Sequence, residues 1–260
     1  MPEVLTDAGS VAITREGKGD DLCLILPPSA GPNGTATLCD GLSKQFRTLR
    51  YAQRGLVGGP PISAQLSIHQ LADDLDALFR TLEMTAATLV CHSTGCGIGL
   101  SLAARYPERV TSLVLVNPWC WGDPHLVTAQ TLRTAAARSL DAQQYAIFNA
   151  TMLFPHDYRR EHHDAFAALA AKAPPPDADA FALRLKAILA FDARPLLADV
   201  RCRTLILGAH DDQLMPHWFA SDIAQGIEGS ELEIYAHGGH MLPETRASEV
   251  LTRIETFLSA

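Results

Sequence analysis

The chain has 260 residues, 47% of them apolar, and a formal net charge of −8. That length fits one large domain, or a domain carrying an insertion, with enough apolar material for a sizeable core. The negative balance, with no basic stretch interleaved with aromatics, argues against nucleic acid and an anionic membrane surface as partners.

The N-terminus, Met1-Pro2-Glu3-Val4, lacks the charged and apolar regions of a signal peptide, and no apolar run reaches spanning length, so a cytoplasmic location is expected. Cys23, Cys39, Cys91, Cys96, Cys120 and Cys202 lack C-x-x-C spacing and read as small buried thiols. Residues 4–6 and 11–15, parted by Asp7-Ala8-Gly9-Ser10, read as a hairpin. Residues 22–26 are a continuous apolar run, hence a buried strand, and the breaker-rich stretch 27–34 is a loop. A less apolar strand over 46–51 leads to Arg54-Gly55 and a second Gly/Pro loop. Ser67 and Gln70 form a capping box, followed by Ile68, Leu71, Leu75, Leu78, Phe79 and Leu82 at helical spacing. A buried strand over 87–91 precedes a small-residue helix predicted over 98–106, and residues 110–116 are another apolar strand. From 121 to 193 the pattern is helical, with segments such as 126–139 and 141–153 and a break at Ala173-Pro174-Pro175-Pro176-Asp177. The sheet pattern resumes with a strand over 204–207, a helix over 218–227 and a strand over 232–235. A closing helix carries Val250, Leu251, Ile254, Phe257 and Leu258 on one face. Strands apolar on both faces that alternate with helices predict a mostly parallel sheet covered on both sides. Residues 1–120 and 194–260 form this sheet domain, and 121–193 a helical cap inserted into it.

The stretch Cys91-His92-Ser93-Thr94-Gly95 is a small-x-Ser-x-small turn between strand and helix, close to the G-x-S-x-G nucleophile elbow. A nucleophile on so sharp a turn sits in a strained conformation, and small neighbours let strand and helix pass closely. An ordinary Gly/Ser turn is the other reading. A serine hydroxyl needs a base to take its proton, and the base needs an orienting carboxylate. In a strand–turn–helix architecture the order Ser, acid, His is expected, with the last two in loops after later strands. His210-Asp211-Asp212-Gln213 and His237-Gly238-Gly239-His240 stand at those two places, leaving Asp211 or Asp212 as acid and His237 or His240 as base. The N–H of Thr94, after the nucleophile and at a helix start, is a candidate oxyanion donor. His162-His163 with His210, Asp211 or His240 lack metal-ligand spacing, and no phosphate-cradling glycine loop appears, so no metal and no cofactor is expected.

Together these features resemble the α/β-hydrolase superfamily over essentially the whole chain. The resemblance implies an eight-stranded, mostly parallel sheet flanked by helices. A Gly-Gly-His loop before the final helix carries the base in that superfamily, which matches His240 rather than His237. The acid commonly lies eight residues after the first strand residue and four before a proline; counted from Thr204 and back from Pro216, both rules reach Asp212, with Asp211 the rival. The second oxyanion donor comes from the loop after residues 22–26, where relatives carry His-Gly-x and this chain has Pro27-Pro28-Ser29. Proline has no N–H, so Ser29 is the expected donor and the two prolines are a departure from the pattern. Arg54-Gly55 matches a common structural turn, and His92 is assigned to packing.

The segments 116–124 and 152–158 further resemble small-capped members of the 3-oxoadipate enol-lactonase and aminoacrylate hydrolase type. That likeness implies a small, polar, often carboxylated substrate between sheet domain and cap. Pro28, Trp119, Trp121, Met152 and Phe154 are pocket candidates, although buried aromatics also read as core. Arg159, Arg160 and Arg184 read as solvated helix positions before carboxylate ligands. The expected protein is a monomeric or homodimeric serine hydrolase cleaving an ester, lactone or amide-like bond of a small molecule through an acyl-enzyme. Ser93 attacks, His240 shuttles the proton, Asp212 orients His240, and Ser29 with Thr94 hold the oxyanion. The alternative is the same fold used as a lyase or C–C bond hydrolase, or as a ligand-binding protein with weak turnover.

Overall fold

The computed structural model describes residues 2–28, 31–63 and 65–260. Its N-terminal hairpin joins β1 (Glu3–Thr6) to β2 (Gly9–Glu16) in antiparallel register, Val4 opposite Val11. The apolar run that follows forms β3 (Asp21–Ile25), and a short helix α1 (Ala36–Ser43) returns the chain to β4 (Arg47–Tyr51). Next come α2 (Ile68–Thr81), β5 (Ala87–His92), α3 (Thr94–Arg105) and β6 (Val110–Val116). Five helices then intervene without a strand: α4 (Pro124–Ser139), α5 (Ala142–Leu153), α6 (His156–Glu161), α7 (His163–Ala171) and α8 (Ala178–Ala190). The sheet resumes with β7 (Arg203–Ala209), α9 (Trp218–Gly226) and β8 (Glu231–Tyr235), and the chain closes with α10 (Leu242–Thr245) and α11 (Ala247–Ser259).

The eight strands lie in the order β1-β2-β4-β3-β5-β6-β7-β8. β2 pairs antiparallel with β4, and every pairing from β4 through β8 is parallel. Alternate residues feed two cores, because successive strand side chains point to opposite faces. On one face Cys23, Ile25, Leu89, Cys91, Leu113 and Leu115 meet α2 and α3. On the other Leu22, Leu24, Val90, Val114 and Val116 meet α1 and α11. The strand pattern predicts a mostly parallel sheet and the family resemblance eight strands, and both are found.

One element is added to those read from the sequence, and two local expectations change. α1 carries no sequence signal strong enough to separate it from its breaker-rich surroundings: it is short, contains Gly41 and starts from Thr35 without a side-chain cap. It forms because Leu38, Cys39 and Leu42 are buried against the sheet, a tertiary gain that outweighs propensity. Only half of the expected box at α2 is made: Ser67 Oγ accepts from the Gln70 N–H at 3.1 Å, while Gln70 Oε1 is buried with no partner among the described residues. α3 begins at Thr94, not at residue 98, so the turn has no intervening loop.

Arg54 explains the second Gly/Pro loop. Its guanidinium makes a bidentate pair with Asp74 of α2 at 2.8 and 3.0 Å and donates to the Pro61 carbonyl at 3.0 Å, pinning that loop against the helix. All six cysteines are unpaired, and all but Cys202 are buried. No helix among the described residues is long and apolar enough to cross a membrane.

Candidate active site

Ser93 stands between β5 and α3 with φ 55° and ψ −119°, a conformation that costs of order 1–3 kcal/mol for a residue with a side chain. The surrounding fold holds it there. Its own N–H donates to the Val116 carbonyl at 3.1 Å, extending the β5–β6 ladder, and its carbonyl accepts from Cys96 N–H at 2.8 Å. Cys96 Sγ, buried, donates to the carbonyls of Cys91 and Val116 at 3.4 and 3.3 Å. Gly95 permits the turn: a Cβ there would lie 2.0 Å from the Ile25 carbonyl oxygen, a backbone atom that cannot step aside. Gly95→Ala should therefore force β3 and α3 apart and cost about 3 kcal/mol, read as a fall in the urea midpoint; an unchanged midpoint would contradict the packing described.

Because α3 starts directly after Ser93, the N–H groups of its first turn, Thr94 and Gly95 among them, lack acceptors within the helix. Ser93 does not cap the helix with its side chain. Its Oγ instead meets His240 Nε2 at 2.8 Å. His240 Nδ1 in turn meets Asp212 Oδ2 at 2.8 Å, with the His240 and Asp212 side chains 2% and 0% exposed. Asp212 Oδ1 accepts the N–H groups of Leu214 and Met215 at 2.8 and 2.9 Å, and its Oδ2 also accepts from Asn117 Nδ2 at 2.9 Å. Four donors thus surround this buried carboxylate and fix its plane. With Asp212 accepting at Nδ1, the neutral imidazole presents an acceptor at Nε2 to the serine hydroxyl.

The neighbouring aspartate does a different job. Asp211 accepts the N–H groups of Gly239 and Gly238 at 2.8 and 3.2 Å. It braces the turn on which both glycines hold left-handed backbone, φ 147° at Gly238 and 62° at Gly239, conformations open to residues without a Cβ. His237 is exposed, and its carbonyl accepts from Arg246 Nε.

His92 and Asn117 complete the support. His92 Nε2 lies 2.7 Å from the His240 carbonyl; a carbonyl only accepts, so the proton is on Nε2. Burial, and then the nearby His240, push the His92 pKa down to about 3, so the ring is neutral. Unfolded His92 takes up a proton near its ordinary value of 6.5 and folded His92 only near 3. Between those values the unfolded state binds the extra proton, so stability falls as pH falls, at most on the order of 1 kcal/mol per pH unit. In His92→Asn, denaturation from pH 7 to pH 4 should show a shallower acid limb than the wild type; parallel limbs would contradict the assignment. Asn117 is left-handed at φ 48°, its N–H donates to the Leu207 carbonyl at 2.8 Å, and its amide bridges Asp212 to the Gly239 carbonyl at 3.2 Å. Neither motif spacing nor hydrophobic period singled out Asn117; its position directly after a buried apolar strand was the available signal.

The other sequence-derived candidates scatter. Ser29, the expected second oxyanion donor, lies outside the described residues; Pro28 before it is exposed. The loop beyond is anchored at Asn33, whose N–H donates to Glu244 Oε1 at 2.9 Å and whose amide donates to Tyr158 Oη at 2.8 Å. The Tyr158 hydroxyl in turn donates a hydrogen bond to Glu244 Oε1 at 3.2 Å, and burial raises the Glu244 pKa. Trp119 is fully buried, its indole N–H donating to the Ile188 carbonyl at 3.3 Å and its ring edge-on to Phe191. Trp121 is covered by the Arg194 guanidinium, 4.2 Å from the ring centroid. Phe154 stacks on Tyr158 and meets Phe166 edge-on. Met152 shares with Asp212 a cavity of about 480 Å3 between α4 and the loop after β7, walled further by His210, His217 and Trp218. No group of three His, Cys, Asp or Glu side chains suited to a metal forms among the described residues.

With this geometry in place, comparison with known proteins settles the family. The model of the alpha/beta hydrolase fold matches residues 31–247. The chain belongs to this family. Relatives of this α/β-hydrolase include the "Putative carbamate hydrolase RutD" of Caulobacter sp. (strain K31), 28% identical over 248 residues that cover 92% of this chain and 91% of that protein. The protein of the same name from Serratia proteamaculans (strain 568) is 29% identical over 239 residues, 88% of each chain. Among solved structures, the enol-lactonase from Burkholderia xenovorans LB400 superposes with a TM-score of 0.87 at 23% identity, covering 100% of both chains. A thermophilic esterase from Thermogutta terrifontis (malate bound) gives 0.83 at 20% identity, covering 99% of this chain and 97% of that one. At these identities the structural likeness establishes the fold.

Proposed function

We propose that the protein is a serine hydrolase that cleaves an ester, lactone or amide-like bond, carbamates included, of a small metabolite. The observation that carries this reading is the unbroken chain of hydrogen bonds from Ser93 Oγ through His240 to Asp212, mounted on a left-handed turn at a helix start. Ser93 Oγ attacks the carbonyl carbon as His240 Nε2 takes its proton, and Asp212 stabilises the imidazolium so formed. The negative charge that develops on the carbonyl oxygen is met by the Thr94 N–H, aided by the α3 dipole, with Ser29 as the second donor. His240 returns the proton to the leaving oxygen or nitrogen. Water then repeats the sequence on the acyl- or carbamoyl-enzyme and frees Ser93. The names of the relatives, a carbamate hydrolase and an enol-lactonase, support hydrolysis of this bond type.

The direct test is a panel of a p-nitrophenyl acetate, a small lactone and an O-alkyl carbamate. Saturable turnover of at least one is expected, with kcat/KM of about 10^4 M−1 s−1. Rates at the uncatalysed background for all three with folded protein would contradict the proposal.

A further inference from the structure

Outside the Ser93 site, the helical segment between β6 and β7 holds a cavity of about 1110 Å3, walled by α5, α6 and α7 and reaching Gly31 in the loop after β3. Its lining is dominated by apolar side chains, Ala146, Ala150, Phe166 and Ala170 among them. The remaining lining is neutral or basic: Arg159, Arg160, Lys172, His156 and His163 take part, and among the described residues no aspartate or glutamate does. That bias is against the composition of a chain with 29 acidic and 21 basic residues. Among the described residues the guanidinium of Arg159 reaches only uncharged oxygens, the Phe154 carbonyl at 3.2 Å and Thr151 Oγ1 at 3.4 Å.

A further cation stands behind the same wall. Arg133 of α4 is 8% exposed, lies over the Phe181 ring at 5.1 Å, and donates to Gln130 Oε1 at 3.1 Å and Asn149 Oδ1 at 3.0 Å. No carboxylate pairs with it among the described residues, and its Nε is buried without a partner. A guanidinium can only donate, so Asn149 turns its oxygen to Arg133, and its N–H2 end has no acceptor among the described residues; Asn149 itself lines the cavity. Burying a cation without its counter-ion costs several kcal/mol. An apolar chamber edged by unpaired cations, with a fixed amide donor in its wall, is complementary to a molecule that is apolar along its length and anionic at one end.

We propose that this cavity seats the apolar arm of the substrate, and that the arm ends in a carboxylate held by Arg159 and Arg160. The α5–α6 joint in the chamber wall abuts the turn that carries His240, a Cβ at Gly239 falling 2.7 Å from Pro155 Cδ and 3.1 Å from the Leu153 carbonyl oxygen, so arm and scissile bond belong to one molecule. The proposal rests on the hydrolase reading for that last link, while the binding itself does not. The test uses full-length protein carrying Ser93→Ala, titrated calorimetrically with octanoate and with octan-1-ol. Octanoate is expected to bind at least about tenfold more tightly, the scale of one charge-assisted contact. The double substitution Arg159→Gln/Arg160→Gln should erase that preference, and Ala146→Trp, which fills the chamber, should weaken both ligands about tenfold. Equal affinity for acid and alcohol, no binding of either, or a preference that survives the double substitution would each overturn the proposal. In the enzyme with Ser93 intact, an aryl octanoate bearing a terminal carboxylate should exceed the plain octanoate ester about tenfold in kcat/KM; equal values would remove the substrate arm from this chamber. Octanoate binding without turnover of any ester would overturn the hydrolase reading and leave the anion site standing. Turnover of a short acetate ester with octanoate ignored would do the reverse.

Discussion

Ser93→Gly is expected to abolish turnover, by about 10^4-fold or more in kcat, while leaving the protein at least as stable as the wild type. The two effects have one origin. Ser93 holds φ 55° and ψ −119°, a region costly for any residue with a Cβ and open to glycine. Removing the side chain deletes the proposed nucleophile and relieves that strain, a gain of up to about 2 kcal/mol against glycine's greater freedom in the unfolded chain. Kinetics on the turned-over ester together with urea denaturation separate the outcomes. Retained activity would remove Ser93 from the chemistry, and a large loss of stability would mean that its hydroxyl, bonded to His240, is needed for packing.

Asp212→Asn carries the second large effect, a fall of about 10^4-fold in kcat with KM little changed, the scale set by the same substitution in a serine protease. Asparagine keeps the shape, but its N–H2 and oxygen no longer match four donors around one carboxylate, and the imidazole is left in the wrong tautomer. Asp211→Asn should cost no more than about tenfold, because its carboxylate touches the backbone of Gly238 and Gly239 and not the imidazole. Its effect should appear mainly in stability. Equal losses in the two variants would overturn this division of labour between adjacent residues.

Much of this arrangement was legible in the chain. The places of the buried strands along the chain followed from continuous apolar runs such as 22–26 and 110–116, and the elbow from small residues flanking Ser93. What stayed hidden is carried by tertiary contact. α1 has no cap and a mid-helix glycine, and it exists because the sheet face needs Leu38 and Leu42. Asp211 and Asp212 are chemically identical in sequence; their roles part because the chain turns between them, sending one side chain to the glycine backbone and the other to the imidazole. Asn117 and Glu244 sit in no motif, and their partners lie 95 and 211 residues away along the chain. The aromatic candidates fail to gather for a related reason. Sequence marks a residue as large and apolar but not the side of the sheet it enters, and Trp119 goes into the core beneath α8.

The most direct test of Ser93 as an activated nucleophile is covalent capture. Folded protein is incubated with a fluorophosphonate, followed by intact mass and peptide mapping. One adduct per chain, on Ser93, lost in His240→Ala and strongly slowed in Asp212→Asn, is the expected result. Folded wild-type protein that gains no mass, or gains it on a residue other than Ser93, would contradict it.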